Sequence, residues 1–259
     1  MKVIAGAGSG LTAKAAASAG ADAIACYSTA MYRIKGLPTA LSFLPYDDCN
    51  SLVLDALPEI RHAVPGSIPL IVGVGAHDPR INLAHHIREV QYRGGTGVMN
   101  EPFIGMYGAS IRAALDELDL GFRRECDMIK AGVDAGLVTL GWAFNPEEAA
   151  RLAGLGATYI GAMAGIMTDT APNSDDIVRT SIKLQTMVHA AREENHETLI
   201  LGHGGPLNSP ENCRQVVANA ELDGIVTGSN GERVPAMRGI IDELNALRSR
   251  SPGEKGPKC

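Results

Sequence analysis

The sequence has few aromatic residues, no excess of positive charge, no paired cysteine spacing and no apolar run long enough to cross a bilayer. Phe, Tyr and Trp together supply 4% of 259 residues, so Ala, Val, Ile, Leu and Gly must fill any core. The formal net charge is −6, and neither Arg123-Arg124 nor the basic residues near the C-terminus extend into a stripe. Phosphate neutralisation needs clustered Lys and Arg, so a nucleic-acid surface is not expected. Cys26, Cys49, Cys126, Cys213 and Cys259 form no CxxC pair, which reads as reduced thiols rather than a disulfide framework. The chain enters a strand-like segment at once, without the basic region, apolar stretch and cleavage site of a secretory leader. No segment reaches the roughly 18 to 20 apolar residues of a membrane span. A soluble, cytoplasmic protein is expected. HExxH, the Walker loop and the Gly-x-Ser-x-Gly elbow are also missing; Thr227-Gly228-Ser229-Asn230-Gly231 only approaches the last.

What is present is apolar residues at 45% and 30 glycines without a repeat, a composition of many tight turns around a sizeable core. Short apolar runs alternate with longer amphipathic ones. Val3–Gly6, Asp22–Tyr27, Pro69–Val74, Gly97–Asn100, Val138–Phe144, Tyr159–Met163, Thr198–Gly202 and Gly224–Gly228 read as strands. Helical patterns lie between them, at Leu11–Ala19, from about Asp48 with a kink or restart at Pro58, at 81–93, 108–118, 121–135, after Asn145-Pro146, at 175–193 and after Ser209-Pro210. A last helix carries Ile240, Ile241, Leu244 and Leu247 as one stripe. Residues 28–47 read as a long loop rich in Leu, Phe and Pro, an interface arm or a lid. Repeated strand–helix units imply parallel strands, because parallel neighbours need a crossover. Eight units predict an α/β fold of the (β/α)8 barrel type at residues 1–249 with a flexible tail at 250–259; a doubly wound open sheet is the competitor.

In such a barrel the chemistry gathers at the C-terminal ends of the strands. Gly6-Ala7-Gly8-Ser9-Gly10-Leu11 follows the first strand. Its glycines allow close backbone approach and the following helix start favours anions, which makes Gly8 and Ser9 binding candidates. Leu11 replaces the third glycine of a dinucleotide fingerprint and the second strand ends without an acid, so a nicotinamide site is not expected. His203-Gly204-Gly205-Pro206 and Gly228-Ser229-Asn230-Gly231 follow strands seven and eight, where barrels recurrently hold phosphate. Gly204, Gly205, Ser229 and Asn230 are therefore anion-binding candidates, against the simpler reading of turn residues. His203 is the candidate acid or base. His77 and Asp78 follow strand three; His77 is a binding candidate, and Asp78 either caps a helix or orients a base. Glu101 follows strand four as a second base candidate. Arg33 has the fork to clamp a carboxylate or phosphate. Glu232 starts the last helix, where a carboxylate suits the dipole, and is also a catalytic candidate. Asn100, Trp142 and Thr168 are placed near the mouth.

Four of these motifs, the first glycine loop, Ala76-His77-Asp78-Pro79, His203-Gly204-Gly205-Pro206 and Gly228-Ser229-Asn230-Gly231-Glu232-Arg233, occur together in an order that resembles the phosphoenolpyruvate hydrolase-like TIM-barrel family. The resemblance runs from about residue 3 to residue 247. It implies a TIM barrel related in shape to the phosphoenolpyruvate/isocitrate lyase superfamily. It further implies a hydrolase or lyase acting on a small anionic carbonyl or phosphorylated substrate. The sequence departs from the family pattern at Met163, where related chains tend to have His, at His77 and at Glu101. The acidic metal-binding signature of the mutases and lyases is absent, so the cofactor is open: a divalent metal such as Mg2+ would have to use Asp78 or Glu101, with no readable ligand triad. The expected partners are a small anionic molecule and further copies of the chain, with neither nucleic acid nor membrane. A binding or signalling barrel without catalysis is the alternative.

Overall fold

The computed structural model of the protein describes residues 1–165 and 172–248. Eight parallel strands, β1 (Lys2–Ala7), β2 (Ala23–Cys26), β3 (Leu70–Gly73), β4 (Gly97–Met99), β5 (Val138–Ala143), β6 (Tyr159–Gly165), β7 (Leu199–Gly204) and β8 (Gly224–Thr227), follow one another around a closed barrel. The open-sheet alternative is excluded by the pairing of β1 with β8, in which Lys2 faces Gly224 and Ala5 faces Thr227. Strand alternation splits the apolar residues into two layers. Ile4, Ile71, Met99, Leu140, Leu201 and Val226 fill the barrel interior. Ala5, Ile24, Val72, Val98, Ile160 and Ile200 face the surrounding helices.

Those helices start where short polar side chains satisfy the first free amides. Ser9 caps α1 (Gly10–Ser18), Asp48 caps α3 (Cys49–Ala63), Asn82 caps α4 (Leu83–Tyr92), Asn145 caps α7 (Pro146–Gly154) and Ser209 caps α9 (Pro210–Asn219). Two further helices, α6 (Phe122–Asp134) and α8 (Ser174–Glu194), complete the outer layer between β4 and β7. The restart offered as one expectation at Pro58 does not occur; α3 runs through it. A proline at this position removes one helical donor, a loss of about 3 kcal/mol in an exposed helix interior. Here the carbonyl released four residues earlier, that of Leu54, accepts Arg93 Nη1 at 3.0 Å, so its lone pair is not left bare.

The segment read as one long loop contains α2 (Ser28–Ile34), buried over six of its seven residues, and a 3-10 turn at Thr39–Phe43. A helix that is covered on every side has no amphipathic stripe, so periodicity cannot find it. The helix expected at 108–118 is present as α5 (Ala109–Glu117) and has no buried residue. The last helix, α10 (Arg233–Arg248), has no buried residue. Its apolar stripe is solvent-facing, with Ile240 62% and Leu247 72% exposed. Thr168 and the tail 250–259 lie outside the described residues.

Candidate active site

A cavity of about 630 Å3 opens at the C-terminal ends of the strands and is lined by residues of six of them or of the loops that follow. Its floor is unusual for the number of buried ionisable groups. Arg33, on α2, is 3% exposed, and Glu232, just before α10, is equally buried. The two form an ion pair, Arg33 Nε donating to Glu232 Oε2 at 3.2 Å, while Arg33 Nη2 donates to the Tyr27 hydroxyl at 2.8 Å. Burial opposes the charge on Arg33, but Tyr27 and Glu232 outweigh it and hold the guanidinium protonated. Glu232 Oε1 accepts the Gly8 amide at 2.6 Å and the Thr12 hydroxyl at 3.1 Å.

These contacts change the roles expected of the first loop and of Glu232. The Gly8 amide does attract an anion, but the anion is the chain's own carboxylate. Ser9 is occupied in capping α1 and exchanging hydrogen bonds with Thr12. Neither residue is left to take a ligand, and Glu232 is tied to Arg33 instead of acting as a free base.

The unpaired side of Arg33 faces the loop after β8. A Cβ built on Gly228 would lie 3.9 Å from Arg33 Nη1, 3.6 Å from His203 Nε2 and 3.0 Å from His203 Cε1. The missing side chain therefore leaves a slot between a guanidinium and an imidazole. Ser229 and Asn230 continue the same wall, and Gly204 borders it. Gly205 does not: its amide donates to the Gly165 carbonyl at 2.9 Å. His203 Nδ1 lies 2.8 Å from the Val226 carbonyl, which can only accept, so the ring proton sits on Nδ1 and Nε2 keeps its lone pair. Burial, with help from the Arg33 charge, pushes His203 down to about 4. The ring is thus neutral near pH 7, a hydrogen-bonding group rather than a proton carrier.

Glu101, two residues beyond β4, also borders the cavity. It is fully enclosed, and burial pushes its carboxyl up to about 7 against the opposing influence of the Thr29 and Ser28 hydroxyls and the Arg33 charge. Thr29 Oγ1 contacts Oε1, and Ser28 Oγ lies 3.4 Å from Oε2. The segment that carries Glu101, with its cis bond to Pro102, is clamped from behind. Glu125 on α6 accepts the Asn100 side chain at 2.7 Å and the Ile104 amide at 2.8 Å. Asn100 in turn accepts the Trp142 amide at 2.7 Å. Asn100 is therefore a brace behind the wall. Trp142 itself is on the wall: its ring meets His203 edge-on at 5.0 Å between centroids, and its buried Nε1–H has no acceptor among the described residues.

Asp78 and His77 stand apart from this cluster. Asp78 is held by Arg80, with Oδ1 and Oδ2 accepting at 2.8 and 2.6 Å, and these bonds depress its pKa. Neither residue borders the cavity; the assistance of His203 by Asp78 expected from the sequence is not formed. Burial lowers the pKa of His77. Among the described residues no group of three or more His, Cys, Asp or Glu is placed to hold a metal. With Glu232 bound to Arg33, Asp78 bound to Arg80 and Glu101 alone among hydroxyls, the donor set does not fit a divalent cation such as Mg2+.

Sequence reasoning missed Tyr27, Thr29 and Ser42. Nothing in their local pattern marks them; they become a unit only when α2 folds over the end of β4.

The phosphoenolpyruvate hydrolase-like family matches residues 1–249 of this chain. Two tomato (Solanum lycopersicum) proteins are similar over 95% of it: the ToMV resistance protein Tm-1(GCR237) at 31% identity and the ToMV susceptible protein tm-1(GCR26) at 30%. The chain spans about a third of the length of these relatives, 33% in each case. Among solved structures, phosphonopyruvate hydrolase in complex with oxalate and Mg2+ superimposes with a TM-score of 0.62 at 15% identity, over 99% of this chain and 87% of that one. The phosphoenolpyruvate mutase/isocitrate lyase superfamily member 2,3-dimethylmalate lyase gives 0.56 at 16% identity, over 98% and 85%. These two likenesses place the barrel beside that superfamily in shape. With the match spanning every strand that builds the cavity, the chain belongs to the phosphoenolpyruvate hydrolase-like family.

Proposed function

We propose that the protein is a lyase or hydrolase of a small anionic carbonyl or phosphorylated molecule, in the size range of phosphoenolpyruvate and 2-oxo acids. One observation carries this reading: a cationic slot and an isolated buried carboxyl face the same cavity. The slot would hold the substrate's carboxylate or phosphate through Arg33 Nη1 and the loop after β8. The unpartnered Trp142 Nε1–H would take another oxygen, since a buried donor without an acceptor is restored by a ligand that brings one. When a bond next to a carbonyl breaks, the electron pair moves onto that oxygen as an enolate. Fixed positive charge in a water-poor site stabilises it. Glu101, poised near neutrality, is the group suited to deliver or remove the proton. The role first given to His203 thus passes to Glu101, and His203 serves as an acceptor in the slot.

The superimposing structures support this class of substrate through their names, phosphonopyruvate hydrolase and oxaloacetate acetylhydrolase. Binding without turnover is the second reading; it draws on the neutralisation of Arg33 by Glu232 and on the absence, among the described residues, of a metal-ligand cluster. A thermal-shift screen with oxalate, phosphoenolpyruvate and 2-oxo acids, followed by product detection on each stabilising compound, decides between them. Turnover abolished by Glu101→Gln supports the enzyme. Stabilisation with no product from any compound supports the binding barrel.

We also propose a cytoplasmic setting and self-association. Four described cysteines are free thiols, no described helix is long and apolar enough to cross a membrane, and the bare stripe of α10 suits a second copy of the chain.

A further inference from the structure

Thr29 makes two contacts that its single proton cannot serve together. Its Oγ1 lies 2.8 Å from Ser42 Oγ and also touches Glu101 Oε1. Ser42 Oγ is 2.7 Å from the Thr39 carbonyl. A carbonyl only accepts, so the Ser42 proton is committed to Thr39. The contact between Thr29 and Ser42 then requires the Thr29 proton. Nothing remains between Thr29 Oγ1 and Glu101 Oε1 except a proton on Glu101 itself. Were Glu101 a carboxylate, one of three close oxygen pairs would contain no hydrogen.

We infer that Thr29 and Ser42 are positioning residues that hold Glu101 in its acid form, through a one-way chain running from Glu101 Oε1–H to Thr29, from Thr29 to Ser42 and from Ser42 to the Thr39 carbonyl. The other carboxyl oxygen, Oε2, then remains an acceptor for Ser28. This deepens the proposed function, because it assigns Glu101 the general acid's role at rest. The site already favours the neutral carboxyl through burial. The remaining ionisable groups about it are Arg33 on α2, Tyr27 and Cys26 at the end of β2, and Cys49 at the start of α3. Of these Arg33 alone is cationic, and it pulls toward the carboxylate. The Thr29 hydroxyl favours the carboxylate only when it donates to it; turned to Ser42 it withdraws that help and leaves burial to keep the proton in place.

The chain also joins the proton to the cover of the cavity. Ser42 belongs to the 3-10 turn Thr39–Phe43, and both Thr39 and Phe43 border the cavity. When Glu101 passes its proton to a basic atom of a bound molecule, the Thr29 hydroxyl turns to the new carboxylate. Ser42 then turns to Thr29 and releases the Thr39 carbonyl. No covalent bond changes except the one to the transferred proton. Loss of one hydrogen bond within the turn accompanies every ionisation of Glu101.

The test needs no substrate. Infrared spectra of the full protein are recorded across pH, and the protonated-carboxyl stretch of Glu101 is identified by difference against Glu101→Gln, with Glu125→Gln separating the second buried acid whose pKa burial raises. A Glu101 band present at pH 6 that disappears near neutrality is expected. Ser42→Ala frees the Thr29 proton for the carboxylate and lowers the midpoint by about one pH unit, a tenfold change in proton affinity. Thr29→Ser keeps the hydroxyl and the wild-type midpoint. A midpoint unmoved in a folded Ser42→Ala protein overturns the inference. So does the absence of a Glu101 band in the wild type at pH 6, which decides the matter even if Ser42→Ala does not fold. Failure to find turnover leaves these spectra unchanged, so the two readings fail separately.

Discussion

Glu232 accepts the amide of Gly8 at 2.6 Å across 224 positions of sequence, closing the barrel's first and last loops around one buried carboxylate. The same carboxylate neutralises Arg33. Removing one member of a buried ion pair leaves the other charge without compensation, typically at about 3–5 kcal/mol. Glu232→Ala should therefore lower stability by that amount in thermal or urea unfolding. Glu232→Gln keeps an acceptor for Gly8 but not the charge. It should lose less stability and bind oxalate more tightly than the wild type, because Arg33 is no longer satisfied internally. Equal oxalate affinity in the two proteins, measured by calorimetry, would show that the guanidinium does not face the ligand.

The pH dependence of stability follows from Glu101. Its carboxyl titrates at about 7 in the folded protein against 4.5 ordinarily. The folded state therefore holds the proton more firmly than the unfolded chain. The stability linked to it is fully present below pH 4.5 and is lost as pH rises toward 7, about 3 kcal/mol in all. Glu101→Gln cannot titrate. Its stability relative to wild type should improve steadily from pH 4.5 to 7 and then level off. His203, held down to about 4 from 6.5, acts in the opposite sense, losing stability as pH falls through that window, and it does so in both proteins. A constant difference between variant and wild type across the range would mean that Glu101 is ionised throughout.

Much of the scaffold was legible because its determinants are local. Asn145 and Ser209 mark helix starts by their own side chains, and the alternation of strands and helices is a matter of period. The site was legible only in part. Glu101 and His203 could be placed at strand ends and Arg33 in the long loop after the second strand, and the structure brings all three to one cavity. What could not be seen was which polar groups would already be spent on one another. Gly8 and Glu232 looked like two separate offers to a ligand and turn out to satisfy each other. Asp78 met Arg80, two residues away, before it could meet His203. Tertiary pairing of this kind leaves no trace in spacing, and α2 left none because burial on all sides erases periodicity.

Gly228 tests the anion slot directly. A methyl group there would stand 3.0 Å from His203 Cε1 and just under 4 Å from Arg33 Nη1. His203 would have to yield a few tenths of an ångström, a small effect on folding, but the methyl would occupy the space an oxygen of the ligand needs. Gly228→Ala should weaken oxalate or phosphoenolpyruvate at least tenfold while shifting the melting temperature little. Gly239→Ala, on α10 where a Cβ meets nothing within 4 Å, should leave binding alone and stabilise the helix by about 0.5–1 kcal/mol. If Gly228→Ala binds as the wild type does, the anion lies elsewhere in the cavity.

The outer end of the chain makes a prediction independent of the site. Met237, Ile240, Ile241, Leu244 and Leu247 fall at helical spacing on α10, and each is about half exposed or more. A Leu or Ile removed from water contributes about 1.5–3 kcal/mol, so a stripe of this length left bare is a large unused driving force. A second copy of the chain carries the same stripe, and a two-fold arrangement covers both at once. Sedimentation should find the protein as a dimer or a larger closed oligomer at micromolar concentration. Ile240→Asp with Leu244→Asp, one turn apart on the same face, should shift it to single copies. The substituted side chains are exposed in the isolated chain, so the double variant should retain its circular dichroism and its oxalate-dependent stabilisation. Wild-type protein sedimenting as a single copy across that range would leave the stripe for a different partner.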